Sequence, residues 1–458
     1  MDDSAFSFGT NVGLGRPLSV HAWINGAVMK KKIRRVSRLI ALMAFTLSLS
    51  QASFGYSVLT HQAIIDSLWD TSIKPLLLKR FSHATAEQLK EAHAYSYGGA
   101  IIQDMGYYPF GSKFFSDLTH YVRSGDFIEA LLEESQDMNE YAFALGALAH
   151  YAADNSGHPI AVNRAVPIVY PKLRAKYGEE VPYADSPTAH IKTEFGFDVL
   201  QVARGRYAPE SYHDFIGFKV SKEVLGRAFK RTYGLELKDV FKSVELALGS
   251  FRFAVSTIIP QATKIAWETK KDDIEKLTPG IAREKFVYNL SRASYEKEWG
   301  SQYEKPGFFA RTMALFFRVV PKVGPFKAVA FKPPTPETEK MFQDSFNATI
   351  ERYRALLARA QGGRLDLQNE NFDTGEITRP GEYRLADKAY AELLDKLEDD
   401  NFKTITPDLR ANILEFYRDL NAPIATKRNK GEWREVLGDL TKLKAVRAEP
   451  AQAQTTQQ

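Results

Sequence analysis

Histidine and carboxylate side chains carry the chemistry legible in this sequence. Nine histidines are present, all at or before residue 213. His150 and Asp154 stand four residues apart, which on a helix puts both on one face. His158 continues the series, where Gly157 and Pro159 suggest that the helix is ending. His190 and Glu194 repeat the spacing on another segment. Neutral imidazoles and carboxylates converging at about 2.0–2.2 Å are what zinc takes. Singly, each fragment is weak: a lone histidine on an apolar helix is more often a hydrogen-bonded core residue, and chance often supplies His-x-x-x-Glu. Asp154 is harder to dismiss. The stretch YAFALGALAHYAAD, residues 141–154, has no charge before His150 and reads as buried, and an unpaired buried carboxylate costs several kcal/mol. His150 alone could be an ion-pair partner, but His158 on the same side makes a metal the better explanation. Cysteine is absent, so disulfides and thiolate ligands are excluded and a metal site must use nitrogen and oxygen.

The elements that position these residues read as helices nearly throughout residues 56–300. Thr60 is a candidate cap for a helix holding Ala63, Ile64, Ile65 and Leu68. Thr85-Ala86-Glu87-Gln88 reads as a capping box. Further helices are expected near 139–154, 188–204, 220–232, 237–275 with a kink at Pro260, and 280–298. No segment alternates with period two, so the expected class is all-α. Residues 301–336 are rich in Phe, Pro and Gly; they read as a basic linker or cover carrying Lys305, Arg311, Arg318, Lys322, Lys327 and Lys332, with no acid between Lys305 and Pro336. A helical extension over 337–447 follows, with helices at 336–361, 385–399, 407–420 and 431–445 and a polar loop after Gly362-Gly363. Residues 448–458 read as a disordered tail.

The N-terminus reads as a targeting segment. Lys30, Lys31, Lys32, Arg34, Arg35 and Arg38 precede the uncharged run Leu39–Leu49, too short for a stable membrane span, and small or polar residues follow. Met29 is the expected translation start. Cleavage is expected after Ala52 or Gly55, making the protein exported, to the periplasm or outside the cell. Residues 1–55 hold seven of the 61 basic and two of the 56 acidic side chains, leaving 54 of each. The mature chain is neutral, which removes the general electrostatic case for nucleic-acid binding.

Taken together, YSVLTH (Tyr56 to His61), Asp104, His120, HYAADNSGH (His150 to His158) and HIKTE (His190 to Glu194) resemble the zinc-dependent phospholipase C family. The related fungal-type single-strand-specific nucleases share the pattern. The resemblance covers roughly residues 56–250 and implies an all-α domain holding two to three zinc ions. It implies that Asp104, His120, His150 and Asp154 surround one ion and that His158, His190 and Glu194 hold a second. Tyr56, through its free amine and carbonyl, would hold a third with His61, and Asp154 would bridge the first and third. Only cleavage after Gly55 frees that amine. Tyr56 stands where the family has tryptophan, and His158 lies closer to His150 than in the best-known enzymes. The segment after about residue 300 has no counterpart in the minimal family fold.

The implied chemistry is hydrolysis of a phosphodiester by water whose pKa zinc lowers, with Asp104 as a base, a water-positioning group or a ligand only. Tyr107, Tyr108 and Phe110, with Phe114 and Phe115, could cage a choline head group or stack a base, or simply pack in the core. Phospholipid is the leading substrate, with peripheral membrane contact through residues 306–332. Single-stranded nucleic acid and a non-catalytic zinc-binding role are the alternatives. His83, His93 and His213 show no pattern and read as surface residues.

Overall fold

The central element is the helix whose sequence reads as buried all round. The computed structural model describes residues 58–108, 110–203, 218–253, 331–363 and 365–446, with isolated positions between 267 and 280. Preceding this helix are α1 (Val58–Leu68), α2 (Lys74–Arg80), α3 (Ala86–Gly99), α4 (Lys113–Tyr121) and α5 (Ser124–Glu133). The helix itself is α6, Met138–Gly157. Its Ala and Leu residues favour the helix intrinsically, Asp137 caps it by accepting from the Glu140 N–H, and residues 140–157 are all buried.

Helices α3, α5 and α1 pack around α6, as does α13 (Pro336–Ala360) from the C-terminal region. The α3–α6 crossing is very close. A Cβ on Gly146 would lie 2.0 Å from the Ser96 carbonyl oxygen, and one on Gly99 1.9 Å from that of Phe143. This approach delivers the end of α3, and the turn after it, to the His150 face of α6. The Thr85–Gln88 capping box forms as expected.

Beyond α6, a π-helical turn spans His158–Val162, leading into α7 (Asn163–Val169) and α8 (Pro171–Tyr177). The chain therefore stays helical past Pro159 instead of stopping at Gly157. Then come α9 (Pro187–Ala203), α10 (Lys222–Tyr233), α11 (Leu237–Val240) and α12 (Val244–Phe253). The long helix expected from 237 to 275 is broken early, because Phe241 adopts an extended conformation. Its expected kink at Pro260, and the helix at 280–298, lie outside the described residues.

The C-terminal region continues with a two-stranded antiparallel hairpin, β1 (Glu370–Asn371) and β2 (Glu376–Ile377). It then adds α14 (Arg384–Asp399), α15 (Pro407–Phe416) and α16 (Lys430–Ala445). The hairpin falls in the stretch expected to be a polar loop. The class is all-α with this one small sheet. Thr60 lies inside α1 and is not its cap; its hydroxyl donates to Asp198 Oδ1 at 2.7 Å, and the Leu59 N–H reaches Asp198 Oδ2 at 3.3 Å. Among the described residues no helix is long and apolar enough to cross a membrane.

Candidate metal centre

Eight of the nine expected ligands converge on the buried face of α6. His61 comes from α1, Asp104 from the 3-10 turn Ile102–Tyr107, His120 from α4, and His150 and Asp154 from α6. His158 opens the π-helical turn, and His190 and Glu194 lie on α9. All eight are 0–2% exposed except His158, at 3%. Tyr56 lies outside the described residues.

Asp154 is central. His150 Nε2 stands 3.1 Å from its Oδ2 and His120 Nε2 3.7 Å, while His61 Nε2 is 3.5 Å and His158 Nε2 3.9 Å from its Oδ1. Asp104 Oδ1 lies 3.4 Å from His120 Nε2. Two sets, His61–Asp104–His150 and His120–His150–Asp154, place one donor atom each within 4.8 Å of one another. His61 thus stands with Asp104 and His150, as well as beside Asp154. At the other end, Glu194 Oε1 is 2.7 Å from His190 Nδ1 and 3.9 Å from His158 Nε2.

The outward-facing ring nitrogens fix the tautomers. His150 Nδ1 faces the Ala100 carbonyl at 2.9 Å and His120 Nδ1 the Ser116 carbonyl at 2.7 Å. A carbonyl only accepts, so both Nδ1 atoms carry the proton and both Nε2 atoms of the neutral rings present lone pairs. Those Nε2 atoms are 3.5 Å apart. His158 Nδ1 donates to Asp373 Oδ1 at 2.8 Å, leaving its Nε2 as a lone pair too. The Asn163 amide donates to the Asp373 carbonyl at 2.6 Å, so its oxygen accepts from His190 Nε2 at 2.9 Å, and His190 Nδ1 is the bare nitrogen.

Lone pairs therefore face carboxylate oxygens across the centre. Asp104 Oδ1, both Asp154 oxygens, both Glu194 oxygens, His158 Nε2 and His190 Nδ1 are buried without a hydrogen-bond partner. Buried polar atoms are normally satisfied, and leaving this many bare is costly. Divalent cations resolve all of it at once, and an all-nitrogen-and-oxygen donor set suits zinc. The residues present fit the metal.

Without cations the same cluster must share protons. Burial and the neighbouring His150 lower the His61 pKa to about 3, and burial with His158 lowers that of His190 to about 3. Burial opposes charge on His150 as well, but the Asp154 carboxylate overrides it and raises the pKa to about 9. His158 is raised in the same way, by Asp154 and Asp373 against burial. Glu194 is pushed well above the ordinary range by burial and then by Asp154 and Asp104. Burial would also raise Asp373, but its contact with His158 outweighs that and holds it near 2.

Residues 60–243 match the family model described as zinc dependent phospholipase C. Over this segment the chain is similar to the zinc-dependent phospholipase C family. The matched span contains all eight convergent residues of the family-type domain and excludes Tyr56 and the C-terminal region. No curated protein and no solved structure matches the chain.

Two residues at the centre carried no sequence signal. Asn163 and Asp373 brace His190 and His158, yet neither belongs to a His-carboxylate spacing. The aromatic loop also differs from an open cage. Tyr107 and Tyr108 are buried, Tyr108 edge-on against Phe251 at 4.6 Å, and only Phe110 is exposed. Tyr107 does face the site, its ring 5.7 Å from that of His120. Of the other histidines, His83 is exposed. His93 is not a plain surface residue: it stacks on Trp69 at 3.8 Å and contacts Asp66 at 2.9 Å. His213 lies outside the described residues.

Proposed function

We propose that this chain is an exported hydrolase of phosphodiesters, with phospholipids as the leading substrate and two to three zinc ions as cofactor. The family supports a phosphodiesterase-type function. The observation that carries the reading is the convergence of bare imidazole nitrogens and carboxylate oxygens on Asp154. Bound among these residues, zinc would supply Lewis acidity and lower the pKa of water.

The chain's own groups divide the remaining work. Asp154 and the imidazoles His61, His120, His150 and His158 set the geometry of the centre, and His190 with Glu194 closes its other end. Asp104, with Oδ1 bare, is assigned to orient the attacking water and accept its proton. Tyr56 is assigned to the third ion through a free amine, which requires export processing after Gly55.

The neutral charge of residues 56–458 and the basic, Phe-rich segment 306–332 favour lipid over nucleic acid. At the end of that segment Phe331 packs on Phe195, and Lys332 Nζ donates to the Val169 carbonyl at 3.1 Å, so membrane contact is assigned to the residues before it. Replacing Arg318, Lys322 and Lys327 with Gln should weaken binding to anionic vesicles and leave hydrolysis of a soluble phosphodiester unchanged.

The decisive assay compares the zinc-loaded protein on phosphatidylcholine, denatured DNA and a generic phosphodiester. Chelator-sensitive turnover of the lipid is expected, and turnover of DNA alone would replace the lipid reading with a nuclease. A second reading, a zinc-holding protein without activity, is favoured by one contact. The Phe372 ring from the hairpin lies 5.2 Å from that of His120 and 5.8 Å from that of His150, so the C-terminal region packs directly against two of the expected ligands. Tight zinc binding without turnover of any of the three substrates would establish that alternative.

A further inference from the structure

Carboxylates at the centre fall into two kinds. Those of Asp154 and Glu194 have no hydrogen-bond donor on either oxygen. The Asp373 carboxylate, although 2% exposed, has a hydrogen-bond donor on each oxygen. His158 Nδ1 donates to Oδ1 at 2.8 Å, and Oδ2 accepts from the Tyr121 hydroxyl at 2.9 Å and from Tyr383 through a short bond. Both Asp373 oxygens are already engaged by donors, whereas the oxygens of Asp154 and Glu194 face imidazole lone pairs. An orienting carboxylate needs a fixed position and an imidazole N–H, and Asp373 has both.

Its position is set by the hairpin. The Asp373 N–H is held by Asn371 Oδ1 at 3.0 Å, and the Phe372 N–H donates to the His120 carbonyl at 3.1 Å. The chain turns at Gly375, whose φ is +72°, and a Cβ there would lie 2.7 Å from the Asn155 carbonyl of α6. The glycine lets the turn sit directly on the helix that carries Asp154. Asp373 also reaches His190 indirectly, since its backbone carbonyl orients the Asn163 amide.

We propose that Asp373 is a positioning residue of the metal centre. Supplied by the C-terminal region, outside the family-matched segment, it fixes the tautomer and orientation of His158 and so completes the half of the site formed by His158, His190 and Glu194. Such outer partners hold the ring and raise its basicity as a ligand. The proposal rests on the metal reading above and adds that residues 60–243 alone do not build the whole site.

The test measures zinc stoichiometry and chelator competition on the full chain, comparing wild type with Asp373→Asn, Asp373→Glu and His158→Ala. Asp373→Asn should weaken one ion by about 10–100-fold, with the remaining zinc held as in wild type. Asp373→Glu, which keeps the charged carboxylate and both acceptor oxygens, should recover part of that loss. Melting of the metal-free proteins separates this from a general loss of fold. If His158→Ala loses an ion while Asp373→Asn binds zinc like wild type, the proposal is overturned and the metal reading stands. If wild type binds no zinc, the metal reading itself is overturned. Should Asp373→Asn fail to fold, nitrogen NMR of histidine-labelled, zinc-loaded wild type decides. A proton on His158 Nδ1 with Nε2 unprotonated and bound to zinc supports the proposal, and the reverse arrangement overturns it.

Discussion

The two ends of the cluster are braced by different means. At the His120–His150 end, the outward N–H groups go to main-chain carbonyls, Ser116 on the same helix and Ala100 at the close of α3. Helical backbone supplies both acceptors, the Ser116 carbonyl within α4 itself and the Ala100 carbonyl wherever the α3–α6 crossing forms. At the His158–His190 end, the acceptors are side chains, Asp373 and Asn163. One of them arrives on a hairpin far along the chain. The first end is as rigid as the helices; the second is only as well ordered as the docking of one turn.

The largest expected effect tests what both ends share. Asp154→Asn should cut hydrolysis of a soluble phosphodiester by more than about a hundredfold, since even outer partners of a metal site are worth about 10–100-fold. Glu194→Gln, confined to the second end, should cost less. Equal and small losses in both variants would mean that these pairs are structural.

Proton competition gives the next effect. In the metal-free chain Glu194 is raised by burial and then by Asp154, and His150 stands near 9 because Asp154 overrides burial. Both must lose a proton to bind metal, so affinity should rise with pH, by about tenfold per unit for each proton released. Competition titrations between about pH 6 and 8 should show this slope. A flat profile would mean that the cluster is already deprotonated.

A smaller effect isolates the hairpin. Gly375→Ala combines a positive φ with a clash against the Asn155 carbonyl and should cost about 1–3 kcal/mol. Thermal melting measures it, and zinc lost in this variant should come from the His158–His190 end. The smallest effect is a control. Thr85→Ala removes the α3 cap and should cost about 1 kcal/mol, with zinc content unchanged at both ends.

The ligands of both ends are legible in the sequence, but the side-chain braces of the second end are not. The helical class, the Thr85 capping box and the burial of α6 follow from local periodicity and composition. The His150–Asp154 spacing survives folding because a regular helix fixes which side chains share a face. Asp373 leaves no such trace: it sits in Asn371-Phe372-Asp373-Thr374-Gly375, which reads as an ordinary polar turn, and its partner His158 is on a distant element. His93 is hidden for the same reason, since Asp66 and Trp69 meet it only after α1 and α3 pack. The break at Phe241 is hidden because the apolar spacing on either side stays helical.

The sequence separation between His158 and Asp373, 215 residues, also sets an order of events. At about 5–20 residues per second, the ribosome needs roughly 10–40 s to add that stretch. Meanwhile α6 and its neighbours can gather around His120 and His150, while His158 waits for its acceptor. Zinc captured during synthesis would meet a half-built centre, so full loading belongs to the finished chain.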